Sequence, residues 1–134
     1  MTLELTRVYH FSAAHRLENA ALSPDTNAAL YGACHRPHGH NYYLEVTVAG
    51  WPDPVTGMAL DLERLDATVG GAVLDRVDHE ALEGVDALRG VITTGEGLAR
   101  AFWRILKPAV GEARLRRVSV VETAKNRFEY RGGA

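Results

Sequence analysis

Two runs of alternating residues constrain this chain most. In residues 3–15 (LELTRVYHFSAAH), Leu3, Leu5, Tyr9, Phe11, Ala13 and His15 share one parity, and Glu4, Thr6, His10 and Ser12 share the other. In residues 38–49 (HGHNYYLEVTVA), Tyr42, Leu44, Val46 and Val48 alternate with Asn41, Tyr43, Glu45 and Thr47. A period of two marks a strand with one face on a core. Arg7 and Val8 interrupt the first run, which predicts a bulge or twist there. Residues 16–37 are rich in Asn, Ala, Pro and Gly and show no period, so they read as a long loop with one helical turn.

Beyond residue 50 the period changes. WPDPVTG (51–57) is turn chemistry. Leu62, Leu65, Val69, Val73 and Val77 recur at helical spacing and predict a helix over 61–76. Asp61 is its expected N-cap, and Gly70–Gly71 is a weak spot inside it. A second helix is predicted over 94–107, with Thr93 and Glu96 as a capping box, Leu98, Phe102, Ile105 and Leu106 as its stripe, and Pro108 at its end. Strands follow over 115–123 and 127–131, joined by a turn near 124–126. The order β-β-α-α-β-β predicts an α+β fold, a four-stranded antiparallel sheet with two helices on one face. At 134 residues the expectation is one domain, 1–134.

Charge and composition remove some functions. Fifteen basic against seventeen acidic residues give a net charge of −2, which disfavours a nucleic-acid binder. No apolar run approaches the roughly 18 residues of a membrane span. Residues 1–20 carry Glu4, Arg7, His10, His15 and Arg16, so no signal-peptide core is expected. A lone cysteine, Cys34, excludes an internal disulfide, and together these features fit a reducing cytoplasm.

Six histidines is a high number for this length, and His15, His35, His38 and His40 fall within 26 residues. His38 and His40 sit at i and i+2, so on a strand they share a face with Cβ atoms roughly 6–7 Å apart. They continue the face of Tyr42 and Leu44, and His15 continues that of Tyr9 and Phe11. Paired strands would bring the three rings together, and three imidazoles with an open position is the donor set of a catalytic zinc site. The competing reading is a set of hydrogen-bonded histidines lining a wet cleft. His10 has the wrong parity.

Cys34 precedes His38 by four residues. It is a fourth metal ligand, a thiolate base or nucleophile near the metal, or a small buried hydrophobe. Asp78-His79 reads either as an acid orienting an imidazole or as a solvated helix end. Glu122 follows Val118 and Val120 on an inward parity and needs a partner. That partner is the paired N–H edge of a pterin or guanine, or one of Arg114, Arg116 and Arg117.

HFSAAHRL (10–17), YGAC (31–34), HGHNY (38–42), DPVTGM (53–58), VDHEAL (77–82) and ETAKNRFEYRG (122–132) together resemble the 6-pyruvoyl-tetrahydropterin synthase / 6-carboxytetrahydropterin synthase family. The resemblance runs in order over nearly the whole chain. It implies the tunnelling fold, with sheets joined into a barrel by trimerisation and two trimers forming a homohexamer whose sites lie at subunit interfaces. It implies zinc on His15, His38 and His40, Cys34 as the proton-transferring thiol, Asp78 and His79 completing its relay, and Glu122 anchoring a pterin. Thr94 and Glu96 belong to the family's substrate-binding block. The implied substrate is 7,8-dihydroneopterin triphosphate.

The short interval from Cys34 to His38 favours the carboxy branch, which releases acetaldehyde and triphosphate on the route to queuosine. DPVTGM and ETAKNRFEY look closer to the pyruvoyl branch, the alternative. A third branch, which often carries glutamate at the cysteine position, is disfavoured by Cys34. Gly95 and Gly97 replace a hydroxyl and an amide of the family block, and they alone favour a non-catalytic zinc- or pterin-binding module. Cations for the triphosphate would come from Arg16, Arg36, Lys125 and Arg127.

Overall fold

Strands β1 (Leu3–His15) and β2 (His38–Gly50) pair antiparallel in one unbroken register, from Leu3 opposite Gly50 to His15 opposite His38. The computed structural model describes residues 3–111 and 114–133. No bulge breaks this ladder at Arg7–Val8, so of the bulge or twist expected there the bulge is absent. Arg7 keeps the parity of Leu5 and Tyr9 because an acid meets it. Its Nε and Nη2 donate to the two carboxylate oxygens of Asp66 at 3.0 and 2.9 Å, and the Tyr9 hydroxyl donates to the same group at 2.8 Å.

The sheet is mixed and five-stranded, ordered β3 (Glu80–Ala81), β1, β2, β4 (Leu115–Thr123) and β5 (Asn126–Tyr130), where four antiparallel strands were expected. β4 and β5 extend it antiparallel, close to the predicted bounds. The extra strand is β3, two residues running parallel to Ala13–Ala14 of β1. So short a segment has no period to read. The sheet of one chain is open, with β3 and β5 at its edges.

One face of the sheet carries the core. Phe11, Tyr42, Leu44, Val46, Val48, Val118 and Val120 are buried there against Leu65, Val69, Val73, Val77, Leu98, Phe102 and Leu106 of the helical layer. The opposite face is polar. Thr6 and Thr47 share a hydrogen bond at 2.7 Å, and Arg117 joins Thr47, Glu45 and Glu129.

Helix α2 (Leu62–Val69) starts at Asp61, whose carboxylate accepts from Arg64 N as the sequence predicted. It passes into a π-helical segment, Gly70–Leu74, and ends in α3 (Asp75–Val77). The buried residues Leu65, Val69, Val73 and Val77 are spaced by four. At about 100° per residue, that spacing drifts about 40° per step around a regular helix. The wider π segment, at the predicted weak spot, offsets the drift and keeps all four on the core.

The long loop is more ordered than expected. It holds an eight-residue helix, α1 (Pro24–Tyr31), and a 3-10 turn, Gly32–His35. Ser23 caps α1, and Pro24 opens it. Its one buried residue is Asn27, whose amide donates to the carbonyls of Asn19, Leu22 and Ser23 and accepts from Asn19 N.

Helix α4 (Gly95–Val110) corrects two expectations. Its N-cap is Thr94, not Thr93: the Thr94 hydroxyl accepts from Gly97 N at 3.1 Å. Pro108 lies inside the last turn and does not end the helix. The carbonyl it leaves without its helical partner belongs to Arg104, an exposed residue. The two glycines of the first turn are there for space. A Cβ on Gly95 would lie 2.0 Å from Phe128 Cδ2, and one on Gly97 would lie 2.0 Å from the Ile92 carbonyl oxygen.

Gly95→Ala is therefore expected to cost about 3 kcal/mol in urea unfolding, as overpacking. Phe128→Leu in the same chain should recover part of that loss, since the ring is the obstacle. Equal stability of wild type and Gly95→Ala would contradict the packing described.

Candidate metal centre

The β1–β2 register assembles the site. His15 stands directly opposite His38, and His40 lies diagonally, opposite Ala13. Opposed residues share a face, so all three imidazoles project to the core side at one end of the ladder. Their ring centroids are 4.5, 5.1 and 4.9 Å apart, and their ligating nitrogens lie within 4.8 Å of one another. His10, of the opposite parity, lies edge-on against Tyr43 instead.

Hydrogen bonds fix which nitrogens are free. His15 Nδ1 is 2.9 Å from the Thr93 carbonyl, and His38 Nδ1 is 2.7 Å from the Arg36 carbonyl. A carbonyl only accepts, so each Nδ1 carries the proton and each Nε2 is left with a lone pair. His15 Nε2 is buried without a hydrogen-bond partner. This is the arrangement of a metal-ligating histidine, with the far nitrogen held by a backbone oxygen.

Protonation agrees. Burial, reinforced by the neighbouring His38 and His40, lowers the pKa of His15 from 6.5 to about 4. Burial also lowers that of His40, against the opposing pull of Glu122. His15 is therefore neutral at pH 7 and ready to ligate. Three imidazole nitrogens, one of them orphaned in the interior, are the donor set of a divalent cation of the zinc class. Cys34 is not among the converging donors, which leaves a coordination position open.

Glu122 faces this centre. Its Oε1 is 3.4 Å from His15 Nε2 and 3.3 Å from His40 Nε2. It occupies an irregularity of the ladder, for Val121 pairs with Arg127 and Thr123 with Asn126. Such a bulge re-aims a side chain. Arg117, one of the proposed ion-pair partners, is engaged by Glu45 and Glu129 instead. Tyr42 walls the centre, stacked on Phe11 at 4.8 Å and edge-on to His40 at 5.4 Å.

The other predicted residues lie further out. Cys34 is exposed in the 3-10 turn, and its carbonyl accepts from Leu17 N at 2.8 Å. The Asp78–His79 dyad is formed, with His79 Nδ1 3.0 Å from Asp78 Oδ1. The Ser12 N–H, more than His79, holds the Asp78 pKa below its ordinary value. His79 has a positive φ of 61° and donates its own N–H to Ser12 O. Among the described residues no hydrogen bond links Cys34 to this dyad. Thr94 caps α4, and Glu96 is exposed beyond it. Of the expected phosphate-binding cations, Arg16 pairs with Glu18 and Arg127 with Glu45. Sequence reading missed Thr93 as the partner of His15. The adjacent Thr-Thr pair held the signal, because only one of the two can cap the helix.

A family model described as 6-pyruvoyl tetrahydropterin synthase matches residues 4–133. A protein of Poecilia reticulata named 6-pyruvoyl tetrahydrobiopterin synthase is 40% identical over 131 residues, covering 96% of this chain and 89% of that protein. The solved structure of Caenorhabditis elegans 6-pyruvoyl tetrahydropterin synthase superposes with a TM-score of 0.91 at 36% identity, covering 99% of this chain and 97% of that one. A protein of Aquifex aeolicus named 6-carboxy-5,6,7,8-tetrahydropterin synthase is 26% identical over 161 residues, covering 98% of this chain and 99% of that protein.

Two outcomes follow from the geometry. His38→Ala should lose stoichiometric zinc in a metal titration while the fold is kept; undiminished zinc would refute the ligand set. In metal-free protein, His15 binds a proton more readily when unfolded, so its contribution is complete above pH 6.5 and falls away as the pH drops to about 4. A shift of that size is worth about 3 kcal/mol, and His15→Gln should flatten this part of the stability profile.

Proposed function

This chain belongs to the 6-pyruvoyl tetrahydropterin synthase family, and from that membership we propose that it is a zinc-dependent lyase acting on 7,8-dihydroneopterin triphosphate, with the 6-pyruvoyl product. The observation that carries the reading is the carboxylate of Glu122 set 3.3–3.4 Å from the His15 and His40 nitrogens of the three-imidazole centre. The choice of product reverses the ranking drawn from the Cys34–His38 interval. A relative named for the pyruvoyl reaction is 40% identical, against 26% for a relative named for the carboxy reaction.

The roles follow from chemistry. Glu122 accepts two adjacent N–H groups of the pterin edge, and a ring anchored there carries its side chain beside the imidazoles. His15, His38 and His40 would hold a divalent cation, which would supply Lewis-acid polarisation of the side-chain oxygens. The Cys34 thiolate takes a proton from an activated side-chain carbon. The C–O bond to triphosphate then breaks, and the leaving group departs with the bonding electrons. Asp78 and His79 relay the proton, with Asp78 holding the imidazole by the 3.0 Å contact.

Among the described residues no hydrogen bond links the dyad to Cys34, so we assign its action to a neighbouring subunit's thiol within a homohexamer of two trimers, whose association would cover the β3 and β5 edges. A reducing cytoplasmic setting suits the free thiol. The glycines at 95 and 97, which favoured a non-catalytic module, have the packing reason given above.

Incubation of the zinc-loaded protein with the substrate should yield triphosphate and a diketone side chain by mass spectrometry. Acetaldehyde release would instead assign the carboxy reaction, which the short Cys34–His38 interval favours. Cys34→Ala should reduce turnover at least about a hundredfold with zinc retained, and joint loss of zinc would make the thiol a ligand. Mixing Cys34→Ala with His79→Ala subunits should restore activity if the relay crosses subunits; no recovery would confine it to one chain.

A further inference from the structure

We propose that the groove along the outer face of α4 is a binding site for a polyphosphate chain, separate from the histidine centre. The groove encloses about 800 Å³ and is lined by Thr94, Glu96, Arg100, Arg104, Lys107 and Tyr130, among others. That volume lies within the roughly 300–1,000 Å³ of small-molecule sites. None of the three imidazoles lines it, nor does Glu122.

Its charge is the reason for the assignment. Arg100, Arg104 and Lys107 follow one another at i, i+4 and i+7, so they form one stripe of like charge, a spacing that repels along a helix. Other arginines of the chain find acids: Arg7 meets Asp66, Arg89 meets Asp86, and Arg117 meets Glu45 and Glu129. Among the described residues Arg100 and Arg104 have no ion-pair partner, although Glu96 stands one turn before Arg100. An acidic protein thus gathers unneutralised cations on one concave surface.

The walls suit an anion as well. The Lys107 ammonium is 5.6 Å from the centroid of the Trp103 ring. That ring is closed off by Gly132, where a Cβ would lie 2.6 Å from Trp103 Cζ2. A sealed aromatic wall offers little dielectric screening and concentrates the field of the cations in the groove. From Arg100 to Lys107 the helix rises about 10 Å. One carboxylate or phosphate would reach only part of that stripe, whereas two or three linked phosphates reach all of it. Two sources have this chemistry: the triphosphate released in the proposed reaction, and free nucleoside triphosphates.

The test is calorimetric titration of the full-length, metal-free protein with inorganic triphosphate and, separately, with ATP. Saturable binding should weaken as salt rises from about 0.1 M to about 1 M, where the Debye length falls from about 10 to about 3 Å. Arg100→Glu with Arg104→Glu should weaken it at least about tenfold, with the melting temperature and zinc stoichiometry unchanged. His38→Ala should leave it intact. Tighter binding of triphosphate assigns the groove to the reaction product, and equal binding of ATP assigns it to phosphate chains generally; either supports the site. Failure of both to bind, equal affinity in the double variant, or loss of binding in His38→Ala overturns it. None of these readouts depends on lyase activity, so the groove and the proposed reaction stand or fall separately.

Discussion

The unbroken pairing of β1 with β2 is the constraint on which the rest depends. Side chains alternate along a strand, so a slip of one residue would exchange the two faces of β2 relative to β1. His38 and His40 would then lose His15, and Tyr42 would lose Phe11. The ladder is held by burial of one face and by polar ties on the other, Thr6 to Thr47 among them. At Arg7, the residue least suited to an inward parity, the fork to Asp66 ties the strand to α2. That contact is more than one third exposed on both sides, so its energy is small, of the order of 0–1 kcal/mol. Its importance lies in keeping the parity through a position where the alternation would otherwise fail.

The centre at the end of this ladder is set by its backbone partners as much as by its rings. Thr93 is free to hold His15 because Thr94 takes over the cap of α4. The carbonyls of Thr93 and Arg36 choose the tautomers of His15 and His38, and burial keeps His15 neutral. Glu122, brought alongside by an irregularity in β4, sets a carboxyl group beside the three imidazoles. A cation at such a site would be bound by neutral nitrogens and would retain a Lewis acidity that ligating carboxylates would reduce.

The sequence made most of this legible wherever a side-chain period existed. The parity of His15, His38 and His40 placed three rings on one face, and the spacing of Leu65, Val69, Val73 and Val77 placed the first long helix together with its weak spot. What escaped had no period. Helix α1 has no apolar stripe, and its single buried residue is an asparagine. Strand β3 is two residues long and owes its place to contacts of Asp78 and His79 with Ser12. The capping box was misplaced by one residue because Thr93 and Thr94 offer the same hydroxyl, and only the fold decides which backbone each serves. Gly95 and Gly97 looked like lost contacts, yet Phe128 and Ile92, remote or invisible in local pattern, account for both.

The amide of Asn27 has a further consequence for the thiol that follows it. Asn27 gathers the carbonyls of Asn19, Leu22 and Ser23, while Leu17 is bracketed by the Cys34 carbonyl and the His35 ring. The segment from Leu17 to His35 is thereby stapled at two points before any ligand arrives. Its conformational entropy is surrendered when the chain folds, so the thiol used in the proposed reaction would be stationed in advance, without an ordering cost on binding.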